Sequence, residues 1–483
     1  MIYLIDLFCG GGGTSTGASK AEGVEVIYCV NHDPMAIKSH LANHPNCIHA
    51  IEDIRTLDLS ELINLVNNIK QKDKNAIIAL WASLECTNHS KAKGGLPRNA
   101  DSRTLAFDLY RYLEQLPIDI VYIENVREFM IWGPLDKDCK PINDCSVYNQ
   151  WVNGMKAFGY SFDWKLLNAA DFGAFTKRIR YFAQFAKSNI ETIWPEQTHS
   201  KKPTGNIKKW KAVRPCLQLE NEGNSIFNRK KPLSDNTFKR ILAGMHKFIP
   251  KGEKGFVAQY NSGSDNNRVS SFEDSINTVT TNNRFSIVQT HLSTYYKNFG
   301  LHSIDSPAPT VTTKDRISKI AVNFIDEQYG NGGSKSIDEP IGTLTTVPKF
   351  NIIKTEQMLF DLSWGGKLYS IDNPSITIIA RQDKQPLYLL NLNSGPINVP
   401  VYDDDTEIVI EIKKFMLMYN ISDIKMRMLF VEELLQIQGF PKYYKLFGTQ
   451  ANQKKFIGNA VEVNVAWAIL EASAKGNLKS IAA

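Results

Sequence analysis

No stretch of this chain reaches the roughly 18 consecutive apolar residues that a membrane helix needs, so an ordinary helical membrane protein is excluded. The first residues, Met1-Ile2-Tyr3-Leu4-Ile5-Asp6, lack the basic start and long apolar core of a signal peptide and read as a buried strand. Cysteine is sparse. The chain has 7 in 483 residues, an odd number without tight pairing, which points to reduced thiols in a cytoplasm rather than to a disulfide framework. Only Cys139 and Cys145 lie close in sequence and no second pair accompanies them, so no metal site is expected. Strong charge of one sign is also missing, the net charge being +6. What remains is a globular composition, 43% hydrophobic and 22% charged, in a chain long enough for two domains.

The modest charge is unevenly placed. Residues 201–254 hold 14 Lys/Arg against 4 Asp/Glu. Such a block suits contact with a phosphate backbone, although charge alone fits a solvated lysine-rich loop equally well.

Residues 1–190 alternate short apolar runs with amphipathic stretches, the pattern of a mostly parallel α/β sheet with helices on both faces. Strands are expected at Ile2–Phe8, Val24–Val30, Ile77–Ala82, Ile118–Ile123 and Tyr181–Phe185, with a helix over Thr104–Gln115. The composition turns polar, basic and β-rich after about Trp194 and stays so to about residue 420. That stretch repeats itself: Thr278, Thr310, Thr343 and Thr377 recur in similar contexts, and Ser-Ile-Asp precedes three of them. A period of this kind predicts a stacked turn-and-hairpin unit, in which most residues support the domain. From about Lys425 a helical period is read over Met426–Gln436, and a last helix over Glu462–Ala474. The domains are therefore drawn at 1–195, 196–422 and 423–483, the last completing the first.

Four pieces carry chemistry. The first strand runs into Phe8-Cys9-Gly10-Gly11-Gly12-Gly13, a turn that lets backbone approach a ligand, as in many nucleotide-binding folds. Phe8 can pack on an adenine face, Asn31 ends the second strand where ribose hydroxyls are gripped, and Asp53 can accept an adenine amino proton. Each has a plain alternative as core or helix cap. Cys86 follows the buried strand Ile77–Ala82, at the sheet edge where α/β folds place active sites. Glu124 ends another strand at that edge, and a carboxyl buried there in an apolar pocket can hold a proton near neutral pH. Arg178 and Arg180 alternate before the strand at Tyr181, which puts both on one face.

Together with Asp101-Ser102-Arg103, Glu124-Asn125-Val126, Asn168-Ala169-Ala170-Asp171-Phe172-Gly173 and Gly458-Asn459-Ala460-Val461, these pieces occur in the order of one family. The chain resembles DNA cytosine-5 methyltransferases of phage and bacterial type. The resemblance implies a Rossmann-like methyltransferase sheet, a β-rich target-recognition domain between its two parts, and S-adenosyl-L-methionine as methyl donor. It implies Cys86 as nucleophile, Glu124 as partner of the cytosine N3, and Arg178 and Arg180 as substrate-positioning residues. Phe8, Gly10, Gly12, Asn31, Asp53, Asn459 and Val461 would line the cofactor site. The implied partners are double-stranded DNA and a cognate restriction endonuclease, with a monomeric cytoplasmic protein.

The chain also departs from the family. Glu85-Cys86-Thr87 stands where the family has Pro-Cys-Gln, Phe175-Thr176 where it has Pro-Gln, and Asn31 where it has a ribose-binding glutamate. An ionised Glu85 beside the thiol opposes thiolate formation. The alternatives are a paralogue of altered specificity (a modified cytosine or a tRNA) or one that binds DNA without catalysis.

Overall fold

The computed structural model describes residues 1–84, 105–248, 399–418 and 421–482, apart from positions 139, 219, 222 and 228; between 256 and 394 it describes strand segments only. Cys86, Asp101-Ser102-Arg103 and the four repeat threonines lie outside the described residues.

Seven strands form the first sheet: β1 (Ile2–Leu7), β2 (Val24–Val30), β3 (Ile48–Ala50), β4 (Ile77–Ser83), β5 (Ile120–Asn125), β6 (Ser161–Asn168) and β8 (Ile179–Ala186). Their order is β3-β2-β1-β4-β5-β8-β6. The first five run parallel, and β8 is antiparallel to both β5 and β6. The chain moves outward from β1 toward β3, then returns to start β4 on the other side. The crevice at the carboxyl ends of β1 and β4 is therefore the switch point where open α/β sheets bind ligands.

Alternation along β1 sends Ile2 and Leu4 to one face and Ile5 and Leu7 to the other. The first face, with Ala79, Trp81, Ile120 and Tyr122, packs on α1 (Gly13–Ala18) and α10 (Val463–Ala482). The second, with Ile78, Leu80 and Val121, packs on α3 (Ser60–Lys72), α4 (Leu109–Gln115) and α5 (Ser146–Ala157). Helix α2 (Pro34–Asn43) is capped by Asp33, whose side chain accepts from the N–H groups of Met35 and Ala36. A Cβ on Gly17 would lie 2.7 Å from Cβ of Ala466 and 2.8 Å from the Val463 carbonyl, so only glycine allows α10 this close to α1.

A second, eight-stranded sheet is built from the middle of the chain. Its longest pairing joins Leu387–Ser394 antiparallel to Ile421–Met428. Two helices, α6 (Asp235–Phe248) and α7 (Glu407–Met418), share its core with α8 (Val431–Ile437) and α9 (Gln450–Asn459), through Ile241, Met245, Ile412, Phe415, Ile424 and Leu434. The helix expected from Met426 is corrected: 421–428 is a strand, and the helix begins at Val431. Ile424 and Met426 are buried two residues apart with Lys425 less covered between them, a period of 2; the helical period starts only at Leu434, Leu435 and Ile437. One small pairing links the two sheets' territories. Thr176–Lys177 (β7) pairs in parallel with Ser375–Ile376, one residue before Arg178.

Candidate active site

The loop after β1 turns sharply. Phe8 (φ 63), Gly10 (φ 50) and Gly12 (φ 89) are all left-handed, and Phe8 is one of two described non-glycine residues in that region. The Tyr444 hydroxyl donates to the Gly11 carbonyl at 2.7 Å and clamps the loop from the far end of the chain. A Cβ on Gly13 would collide with the Val461 carbonyl and approach the Val461 nitrogen to 3.1 Å. Gly13→Ala is therefore expected to push the Ala460-Val461 segment off the loop and to weaken binding of the methyl donor that the resemblance implies at least tenfold, measured by calorimetry.

Beneath the loop, Asp6 is fully buried. Its Oδ2 accepts from Ser15 Oγ at 2.7 Å, while Oδ1 has no hydrogen-bond partner. Burial pushes its carboxyl up to about 7, against the Ser15 hydrogen bonds that pull it down. Glu462 is likewise pushed up to about 7 by burial. In the unfolded chain these groups ionise near 4. Between pH 4 and 7 the unfolded chain releases protons that the native chain keeps, so stability falls as pH rises across that window and stays lower above it. Asp6→Asn is expected to flatten this fall and to stabilise the protein at pH 8 by about 2–4 kcal/mol, read from urea midpoints at pH 5 and pH 8.

A cleft of about 900 Å³, counting its open mouth, lies over the loop. Its lining includes Phe8, Gly10, Asn31, Glu124, Arg178, Asn459 and Val461, seven of the residues singled out in the sequence. Asn31 Oδ1 accepts the Asp33 N–H at 2.9 Å, which fixes its side chain at the end of β2. Gly12 shapes the turn without lining the cleft. Asp53 is also outside the lining: both its oxygens are held by Arg55, at 2.9 and 2.6 Å. The sequence reading missed His32, Asp33, Lys455 and Phe456, which do line the cleft. Lys455 Nζ lies 3.3 Å from Asp33 Oδ2, tying α9 to the cap of α2. The spacing of Lys455 and Phe456, four and three residues before Asn459, is the signal that would have found them.

Glu124 sits opposite Ser83 at the sheet edge, and Ser83 and Leu84 line the same cleft. The segment containing Cys86 thus leaves the described structure at this site. Glu124 is 5% exposed and Arg178 4%. Arg180 Nε lies 3.4 Å from Glu124 Oε1, and Arg178 Nη1 donates to the Gly458 carbonyl at 3.1 Å. Burial raises the Glu124 carboxyl above its ordinary value, while Arg178 and Arg180 pull it back. Both arginines therefore flank one carboxyl, as their alternation predicted, and Arg178 also locks the Gly458-Asn459 turn to the sheet.

The loop, the acid with its two arginines and the closing Gly458–Val461 segment form one constellation, and the model for C-5 cytosine-specific DNA methylases matches residues 2–475. The chain belongs to that family. It is 27% identical over 250 residues to a putative type II methyltransferase, M.OihORF3336P, of Oceanobacillus iheyensis, covering 48% of this chain and 50% of that one. It is 25% identical over 194 residues to the type II methyltransferase M.AgeI of Thalassovita gelatinovora, covering 40% and 41%. The chain thus spans about half the length of the curated relatives it matches. The solved structure of a prophage-encoded putative DNA modification methyltransferase (E. coli) overlaps 99% of this chain and 100% of its own at 17% identity, with a TM-score of 0.46, too loose a fit to carry residue roles. As a member of that family, the chain has a cleft suited to the family's methyl donor. It offers left-handed backbone at Phe8 and Gly10 for close approach, an aromatic wall at Phe8 and polar side chains at Asn31 and Asp33.

Proposed function

We propose that the protein transfers a methyl group to C5 of a cytosine flipped out of double-stranded DNA. The observation that carries this is Glu124, a buried carboxyl with a raised pKa, bracketed by two arginines beside the glycine-loop cleft. S-adenosylmethionine, held by Phe8, Gly10, Asn31, Asn459 and Val461, would supply an electrophilic methyl group.

C5 of cytosine is a weak nucleophile. Addition of the Cys86 thiolate at C6 forms a C–S bond and moves an electron pair toward C5. Glu124 favours that addition by delivering a proton or hydrogen bond at N3, and the burial that raises its pKa favours the protonated form. Arg178 and Arg180 hold the ring oxygen and keep Glu124 oriented. After C5 is methylated it loses its proton to a base, the C6–S bond breaks and the ring is restored. The stacked duplex hides these atoms, so the base must leave the helix. Residues 196–422 serve as the recognition domain in this reading, with the basic 201–254 segment on phosphates; among its described residues Lys201, Lys202, Lys208 and Lys209 are exposed.

The test uses purified protein, tritiated S-adenosylmethionine and duplex DNA, with 5-fluorocytosine DNA in parallel. Label in 5-methylcytosine and a covalent adduct mapped to Cys86 by peptide mass spectrometry are the expected results. Cofactor binding without label or adduct on DNA would sink the reading. Glu85 and Thr87 around the nucleophile favour a second reading, a modified cytosine or tRNA as substrate; the same assay with those substrates distinguishes it.

A further inference from the structure

Behind the glycine loop, away from the reacting groups, three cysteines and three histidines from separate elements converge. Cys29 lies on β2, His40 on α2, Cys47 just before β3 and His49 on β3, opposite Cys29 in register. Cys29 and His40 are fully buried and Cys47 is 8% exposed. The thiols of Cys29 and Cys47 and one ring nitrogen of His40 all lie within 4.8 Å of one another. Cys29 Sγ is 3.5 Å from Cys47 Sγ, and Cys47 Sγ is 3.5 Å from His49 Nε2. His40 Nδ1 is 2.8 Å from His49 Nε2. Cys9 joins the same small buried cluster, and His44 stacks on His40 at 4.7 Å between centroids.

We propose that Cys29, Cys47 and His40, with His49 as the fourth ligand, form a zinc site that braces the wall of the cofactor cleft. Zinc–sulfur bonds of about 2.3 Å and zinc–nitrogen bonds of about 2.0–2.1 Å set tetrahedral ligand separations of roughly 3.3–3.8 Å. The Cys29–Cys47 and Cys47–His49 separations fall in that range; the His40–His49 pair needs to open by about 0.5 Å, and His49, which stands outside the group of three, moves in to complete the four. Two thiolates with two imidazoles are a donor set for a soft or borderline ion of the zinc type, not for calcium or magnesium. Binding releases both thiol protons to solvent, so no oxidant or reductant is required.

A simple Cys29–Cys47 redox pair would leave the two converging histidines without a reason. The site also has a place in the cleft's architecture. It staples β2, α2 and β3 together directly behind Asn31, His32 and Asp33, which line the cofactor cleft.

The experiment measures metal in the full-length protein after zinc loading and desalting, and records the absorption spectrum after cobalt replaces zinc. About one zinc per chain and thiolate-to-cobalt charge-transfer absorption are expected. Cys47→Ser and His40→Asn should each lower the metal content at least tenfold, with Cys145→Ser unchanged and folding checked by circular dichroism. If the variants fail to fold, the cobalt spectrum of the unaltered protein still decides: no thiolate band overturns the site. Folded protein holding less than a tenth of an equivalent, undiminished zinc in Cys47→Ser, or a Cys29–Cys47 disulfide in the loaded protein would each overturn it too.

Discussion

Glu124→Gln is expected to reduce kcat by about 10²–10⁴ while leaving the affinity for S-adenosylmethionine within threefold. The glutamine keeps the shape of the side chain and its burial and can still donate an amide hydrogen bond, but it has no acidic proton to transfer. Glu124 lies 5% exposed between Arg178 and Arg180, so the substitution also takes a negative charge from beside the Arg180 guanidinium, 3.4 Å away, while leaving it an oxygen acceptor. The pH dependence follows from the raised carboxyl. The active form is the protonated one, so the wild-type rate should fall as pH climbs through the raised pKa, and the variant should lack that limb. Single-turnover rates on duplex DNA at several pH values test this. A variant that keeps wild-type kcat would remove Glu124 from the mechanism.

The largest expected loss of stability comes from a site remote from the chemistry. Glu433 is fully buried at the start of α8 and receives both Arg427 Nη1 and Nη2, at 2.9 and 2.8 Å. The same carboxylate accepts the Phe430 N–H at 2.7 Å, capping α8, and the Gln218 N–H at 2.7 Å. Arg427 in turn donates to the carbonyls of Gln218 and Asn221. Three segments (218–221, the strand 421–428 and α8) thus meet on one ion pair. Glu433→Ala leaves the 8% exposed Arg427 without its charge partner, at a cost of about 3–5 kcal/mol. For a unit of this size that corresponds to a fall in Tm of roughly 6–20 °C. Replacing both residues with apolar ones of similar volume should recover much of the loss, since a buried ion pair gains little over good packing. A Tm within 2 °C of wild type for Glu433→Ala would refute this account; scanning calorimetry reads it.

Sequence reasoning reached furthest where one residue type has few reasons to sit at one place. Glycines after an apolar strand and a carboxyl ending a buried strand are such cases, and Phe8, Gly10, Glu124, Arg178, Asn459 and Val461 all line one cleft. It failed where local pattern and tertiary demand disagreed. Glu407-Ile-Val-Ile-Glu-Ile alternates like a strand and is rich in β-branched residues, yet forms α7, because Ile408, Val409, Ile412, Phe415 and Met416 bury one helical face. Helix α6 carried a readable signal in Phe238, Ile241, Leu242 and Met245, hidden by the polar composition around it. Asp53 keeps its expected place after β3, and nothing in the sequence disclosed that Arg55 would pair with its carboxylate. The Cys29-His40-Cys47 cluster was invisible for a different reason. Its members come from three elements at spacings that match no local metal motif, so only the packing of α2 against β2 and β3 assembles it.

The clamp of Tyr444 on Gly11 joins residues 433 positions apart. During synthesis the glycine loop leaves the ribosome first, and its lid is made last. At about 5–20 residues per second the loop waits roughly 20–90 s for Tyr444, α9 and the Gly458–Val461 turn. Through that interval the early sheet lacks both α10, which covers one of its faces, and the wall of the cleft that α9 supplies. A nascent or prematurely terminated chain therefore displays bare strand surface to chaperones and proteases, and it has no complete cofactor site. The cleft is complete only once residues 444–461 have been made and have packed on the loop.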